Sequence, residues 1–209
     1  MREKCGPISG IRKEPRIEES QRQDMFEAET VTLAVLVNER DHMAGPKSAP
    51  ITVVNYGDYQ CPGCQKTHRS TEKLARELLD KVRLVHRHFP LVKSHPRALR
   101  AAEAAEAAAA QGKFWEMHRL LYLRPDKLAD RDLRRYGNEV GLDLERFDRE
   151  MASGIYTDQI LKDFYFSLNH GITGTPTTFI NGVRYAMSAV ELVATVKATL
   201  EEQVARRLQ

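Results

Sequence analysis

Cys61 and Cys64 stand three apart in "GDYQCPGCQKTHRSTEKL", residues 57–74, where an extended run gives way to a helical pattern. If Cys61 falls at the helix N-terminus, unpaired backbone N–H groups and the positive end of the macrodipole favour a thiolate there. Such positions lower a cysteine pKa from roughly 8.5 into a range of about 3.5 to 7.5, which makes the sulfur a nucleophile at neutral pH. Cys64, one turn later on the same face, feels the dipole less and can reach back as the resolving thiol. Two other readings stay open. The pair can be ordinary buried cysteines, or Cys61, Cys64 and His68, in C-x2-C-x3-H spacing, can hold zinc with a fourth ligand from Cys5, His86, His88 or His95. Outside a metal site His68 reads as a solvated helix residue. Asp58 is close enough in sequence to serve as a proton acceptor during exchange, but it reads better as a strand-end turn residue and stays outside the catalytic set. Far along the chain, "GTPTTF" sets Pro176 after a Gly-Thr turn and before a strand. The bond before Pro176 is a candidate for the cis form, which can present the backbone of Thr175 to a partner chain; the other reading is an ordinary trans proline that starts the strand.

The elements that must position these groups follow from the hydrophobic pattern. "ITVVNYGDY" (51–59) begins as a continuous apolar run, the mark of a strand buried on both faces, and leads into the two cysteines. Pro62 suits the first helical position, and the helical pattern runs to about Leu79. "VRLVHRHF" (82–89) is the next strand, stopped by Pro90, so the segment predicts a βαβ unit. Residues 97–122 predict two helices broken at Gly112, with Phe114, Trp115 and Met117 as core rather than a peptide groove; three further helices are predicted at about 130–140, 143–152 and 156–169. "TTFI" and "VRYAM" flank Asn181-Gly182, a two-residue hairpin signal, and 188–204 predicts a closing helix with Ser188 as N-cap and Glu191 completing a capping box. Upstream, "TVTLAVLV" (30–37) predicts a strand and "DHMAGPKSAP" (41–50) a loop. The expected organisation is a flexible tail over 1–24, a first α/β part over 25–92, a helical insertion over 93–170 and a last α/β part over 171–209.

Composition narrows the function. Apolar residues make up 42% of the 209, enough for a sizeable core. Basic and acidic residues, 32 and 29, are mixed along the chain without a basic stripe, which argues against a nucleic-acid partner. Three cysteines argue against a disulfide framework, and Cys5 reads as a free thiol. No apolar run approaches the roughly 18 residues of a membrane span. The charges of "MREKCGPISGIRKEPRIEESQRQD" interrupt any apolar stretch of the roughly 7 to 15 residues a secretory signal needs, so a cytoplasmic location without a membrane partner is expected.

Strand, "CPGC", helix, strand, helical stretch and "GITGTPTTFING", with "YGDYQCPGC", "RHFPL" and "QGKFWEMHRLL" in that order, resemble the DsbA-like branch of the thioredoxin-fold disulfide oxidoreductases of bacteria. The resemblance covers about residues 41–204. It implies an α/β thioredoxin fold with an inserted helical domain, with Cys61 as nucleophile and Cys64 as resolving cysteine. Pro62 and Gly63 match the active-site dipeptide, and Thr175 with Pro176 the cis-proline loop that contacts substrate. No metal or organic cofactor is implied. The expected partners are protein or peptide thiols and disulfides, with an unidentified redox partner such as glutathione or thioredoxin. The oxidising members carry histidine where Gly63 stands, so the expectation is a less depressed Cys61 pKa and a reductase or isomerase-like role. The contrasting expectation is a non-catalytic zinc-binding or redox-sensing module on the same fold.

Overall fold

The computed structural model describes residues 36–78, 80–185 and 188–207. Strand β2 (Ile51–Gly57) lies at the centre. Its apolar residues face both ways: Ile51 and Val53 point to one side, Val54 and Tyr56 to the other, and none is more than 1% exposed. Such a strand needs cover on both faces. Helix α1 (Pro62–Glu77) carries the chain to β3 (Val82–His88), which pairs parallel to β2 from Ile51↔Val82 to Gly57↔His88. Five helices follow, α2 (Ala98–Ala109), α3 (Phe114–Leu123), α4 (Asp130–Glu139), α5 (Leu144–Ser153) and α6 (Thr157–Asn169). The chain returns as β4 (Thr177–Ile180), antiparallel to β2, turns into β5 (Val183–Tyr185) and ends in α7 (Ala189–Arg207). With β1 (His42–Ala44) antiparallel to β3, the sheet order is β1-β3-β2-β4-β5.

Leu74 of α1 and Leu192 and Val196 of α7 cover one face, against Ile51, Val53, Leu84 and Ile180. On the other, Phe164 of α6 and Ile172 pack with Val54, Tyr56, Val85 and Phe179. The alanine-rich α2 lets α3 and its neighbours approach closely, and they enclose a further core of Ala101, Ala104, Met117, Leu121, Leu133 and Phe147. Tyr59, Cys61 and Cys64 belong to that core, so the dithiol sits where the helical stretch meets the sheet. Among the described residues no helix is long and apolar enough to cross a membrane.

The hairpin forms as expected, with positive φ at both Asn181 (49°) and Gly182 (85°), the requirement of a type I′ turn. Glu191 accepts from the Ser188 N–H at 2.9 Å and from its hydroxyl at 2.8 Å. The flexible tail and most of the strand expected over 30–37 lie outside the described residues, and Leu36 and Val37 are not in a strand. The loop expected over 41–50 is a correction: it contains β1. "HMA" has no β pattern of its own; β3 offers it a free edge, and the Trp115 indole N–H donates to the Met43 carbonyl at 3.0 Å. Gly45 then turns the chain away at φ +90°, where a Cβ would lie 2.3 Å from the Val82 carbonyl oxygen.

Candidate active site

The turn between β2 and α1 is held by Asp58, buried at 2% exposure. Its carboxylate accepts from the Gln60 N–H at 2.7 Å, the Leu91 N–H at 2.9 Å and His95 Nδ1 at 2.8 Å, and its carbonyl accepts from the Cys61 N–H at 3.1 Å. The bond to Gln60 is an Asx-turn, so Asp58 is the turn residue its position suggests. It also reaches the dithiol, because its own N–H donates to Cys64 Sγ at 3.4 Å.

Cys61 is the N-cap of α1 and Pro62 its first residue, where a missing N–H costs nothing. Both thiols are free. A hydrogen bond from Cys64 is the largest influence on Cys61; against the opposing effect of burial, and with help from Thr175 and the N–H groups of Cys64 and Gly63, it lowers the Cys61 pKa to about 5. Burial pushes Cys64 the other way, well above an ordinary thiol, and the neighbouring Cys61 adds to the rise. Thr175 and Pro176 stand over this pair: their peptide bond is cis, and Cys61 Sγ lies 3.6 Å from the Thr175 carbonyl oxygen. The Thr175 hydroxyl is buried without a partner among the described residues, which leaves it available to donate to a thiolate. The six residues singled out from the sequence, Cys61, Pro62, Gly63, Cys64, Thr175 and Pro176, therefore meet in one place.

Alkylation of Cys61 should follow a titration with a midpoint near pH 5, while Cys64 stays unreactive. The folded value lies below that of an unfolded thiol, roughly 8.5. The resulting stabilisation of the reduced protein is therefore fully present above about pH 8.5 and is lost as pH falls through 5. Screening by water at the outer side of the sulfur keeps it on the order of 1–2 kcal/mol at pH 7. Denaturant unfolding of reduced wild type and Cys61→Ser between pH 4 and 9 measures the difference; parallel curves would refute thiolate stabilisation.

Gly63 has a steric role that its sequence position does not reveal. A Cβ there would meet Pro176 Cδ at 2.9 Å and Cys61 Sγ at 3.7 Å. Gly63→Ala is expected to push the Pro176 loop outward, raising the alkylation midpoint of Cys61 by about half a unit or more as the Thr175 contacts loosen. The alkylation pH profile reads this out, and an unmoved midpoint would show that the loop does not tune the sulfur. Gly63→His alone therefore mixes charge with displacement.

His68 corrects the expectation of a solvated residue. It is 5% exposed, stacks on Tyr122 with ring centroids 4.8 Å apart, and burial lowers its pKa to about 4. It does not complete a zinc site with the cysteines. Among the described residues the only metal-competent cluster is His42, His88 and Glu106, while the acid nearest His68 Nε2 in an ion pair is Glu72, at 3.7 Å. His68 instead joins His86, His118, Tyr59 and Tyr122 in a packed group beside the dithiol, with Tyr59 Oη 3.0 Å from His118 Nδ1. Burial holds His86 and His118 well below the usual histidine range. The signals for this group were faint ones. His86 and His88 share a strand face at period two, and His118 and Tyr122 share a helix face at i,i+4. Phe114 and Met117 are core as expected, and Trp115 is partly buried beside them.

With this geometry, the chain belongs to the thioredoxin family, whose model matches residues 37–198. A thioredoxin-like oxidoreductase from Silicibacter pomeroyi is 27% identical and superposes with a TM-score of 0.67 over 78% of this chain and 94% of that one. Wolbachia pipientis α-DsbA1 (22% identity, TM-score 0.69, 84% and 98% coverage) shares the fold, as does oxidised BdbD of Bacillus subtilis (21%, 0.68, 82% and 97%). By sequence, the chain is 43% identical over 178 residues to a Na(+)/H(+) antiporter NhaA 3 of Salinispora tropica, covering 80% of this chain but 27% of that protein. The NhaA of Herminiimonas arsenicoxydans is 36% identical over 146 residues, with 70% and 23% coverage. The chain thus spans about a quarter of the length of the curated relatives it matches.

Proposed function

We propose that this chain exchanges disulfides with protein or peptide thiols through Cys61 and Cys64. The observation that carries the reading is the opposite tuning of two thiols one helical turn apart, a thiolate-forming Cys61 under the Thr175–Pro176 loop and a buried, protonated Cys64 behind it. In the reducing direction the Cys61 thiolate attacks a substrate disulfide. The substrate S–S bond breaks as the mixed disulfide forms, and the departing sulfur takes the electron pair and then a proton. Cys64, on losing its proton, attacks Cys61; the second substrate thiol leaves, and the enzyme disulfide retains the oxidising equivalents. The oxidising direction is the same sequence reversed. The Thr175 carbonyl, facing Cys61, is placed to align an extended substrate chain by a main-chain hydrogen bond.

On direction, the thiol chemistry favours disulfide donation over the reductase role expected from Gly63. A stabilised thiolate favours the dithiol and makes its disulfide the stronger oxidant. At pH 7 a pKa of about 5 contributes at most roughly 60 mV, two units at about 30 mV each, reduced by screening. Cys64, Thr175 and backbone N–H groups supply that stabilisation without a histidine at position 63. Equilibration with a glutathione redox buffer is expected to give a potential above that of thioredoxin by up to about 60 mV. A value at or below that of thioredoxin, about −270 mV, would restore the reductase reading. The redox partner is a small thiol of the glutathione class or a thioredoxin-class protein. The antiporters' names carry no ion transport to this chain, because the similarity lies in the segment that here folds as a thioredoxin-family domain.

A further inference from the structure

We propose that His42, His88 and Glu106 form a binding site for a divalent transition metal of the zinc class, separate from the dithiol and independent of the exchange reading. The two imidazoles come from different strands, β1 and the end of β3, and the carboxylate from α2. His42 Nε2 lies 2.7 Å and His88 Nε2 2.9 Å from the same oxygen, Glu106 Oε1, and all three ligand atoms fall within 4.8 Å of one another. Zinc-class ions bind imidazole nitrogen and carboxylate oxygen at about 2.0–2.2 Å in tetrahedral array, which sets ligand atoms about 3.3–3.5 Å apart. Seating such an ion takes opening the two contacts to Oε1 by roughly half an ångström and setting the two Nε2 atoms, which lie within 4.8 Å of each other, at the same spacing.

The ligands are held before any ion arrives. The His42 ring stacks on Phe114 at a centroid distance of 3.6 Å and an interplanar angle of 8°, and His88 is buried against Tyr59, His86 and Phe114. The donor set selects the metal: two nitrogens and one oxygen suit zinc, cobalt, nickel or copper rather than the all-oxygen shells of calcium and magnesium. The site is also reachable. It forms one wall of a cavity of ≈ 480 Å³ lined also by Asp41, Tyr156 and Asp163, and the side chains of His42 and Glu106 are 20% and 23% exposed. Three protein ligands leave a fourth position for water from that cavity.

The test uses tag-free full-length protein with Cys5, Cys61 and Cys64 replaced by serine, so that no thiol can bind metal and loss of exchange activity cannot colour the result. Titration with Co(II) is expected to give one ion per chain, with visible d–d bands and no sulfur-to-metal charge transfer. His42→Ala, at an edge strand and partly exposed, should fold and bind at least about 100-fold more weakly; Glu106→Gln should also weaken binding, and Zn(II) should displace cobalt. NMR of labelled histidines with Zn(II) should show ligation at Nε2 of His42 and His88, with His68, His86, His95 and His118 unligated. Zn(II) should raise the Tm of the thiol-free protein but not of its His42→Ala derivative. No Co(II) binding by the thiol-free protein, unchanged affinity in folded His42→Ala, or ligation at another histidine each overturns the site.

Discussion

Cys61→Ser is expected to lower disulfide exchange by at least about three orders of magnitude, because the attacking sulfur is removed and nothing else at the site is an activated nucleophile. Cys64→Ser is expected to behave differently. It keeps the attacker and removes the resolver, so substrate accumulates as a mixed disulfide on Cys61, visible by non-reducing electrophoresis and released by dithiothreitol. Cys64→Ala, unlike serine, removes the hydrogen bond that is the largest influence on the Cys61 pKa, so in that variant the alkylation midpoint of Cys61 should rise from about 5 by one unit or more. The two readouts are independent, one reporting resolution and the other thiolate stabilisation. Variants that behave alike in trapping, or first alkylation of Cys64 in wild type at mildly acidic pH, would reverse the assignment of roles.

Asp58→Ala should destabilise the fold by about 3 kcal/mol. The carboxylate satisfies two backbone N–H groups and His95 in a site closed to water, and leaving such donors unpaired costs roughly 1–3 kcal/mol each before relaxation. For a chain of 209 residues that lowers Tm by roughly 6–12 °C. The same change loosens the turn that delivers the Asp58 N–H to Cys64 and the Cys61 N–H to the Asp58 carbonyl, so exchange should slow even where the protein remains folded. Thermal unfolding of the reduced variant measures the first effect and single-turnover exchange well below its Tm the second. Asp58→Asn, which keeps one acceptor oxygen, should fall between. A loss below about 1 kcal/mol in Asp58→Ala would mean that water replaces the carboxylate, and the turn would then owe its shape to other contacts.

Several features were legible in the chain itself because they are set by local physics. Pro62 behind Cys61 places the thiol at a helix start, Asn181-Gly182 dictates a type I′ turn, and the two-sided apolar run of 51–54 requires a strand covered on both faces. The order of motifs further tied Thr175 and Pro176 to the cysteines, although no local rule could show them 114 residues apart in sequence yet in contact. What the tertiary structure alone decided are quantities that depend on neighbours far along the chain. Burial of His68 under Tyr122 is one, since an isolated helix offers that face to water. β1 is another, because a three-residue edge strand is made by its partner β3 and by Trp115 rather than by its own propensities. The room at Gly63 is set by the distance to Pro176, and the convergence of His42, His88 and Glu106 by the packing of α2 on the sheet edge. Above all, the thiol tuning came from three dimensions: the helix start announced a favoured thiolate, but the hydrogen bond from Cys64, the burial of Cys64 and the approach of Thr175 determine how far the two pKa values separate. Local dihedral preferences act within a few residues and can be read in order, whereas desolvation and electrostatics sum over whatever the fold brings near.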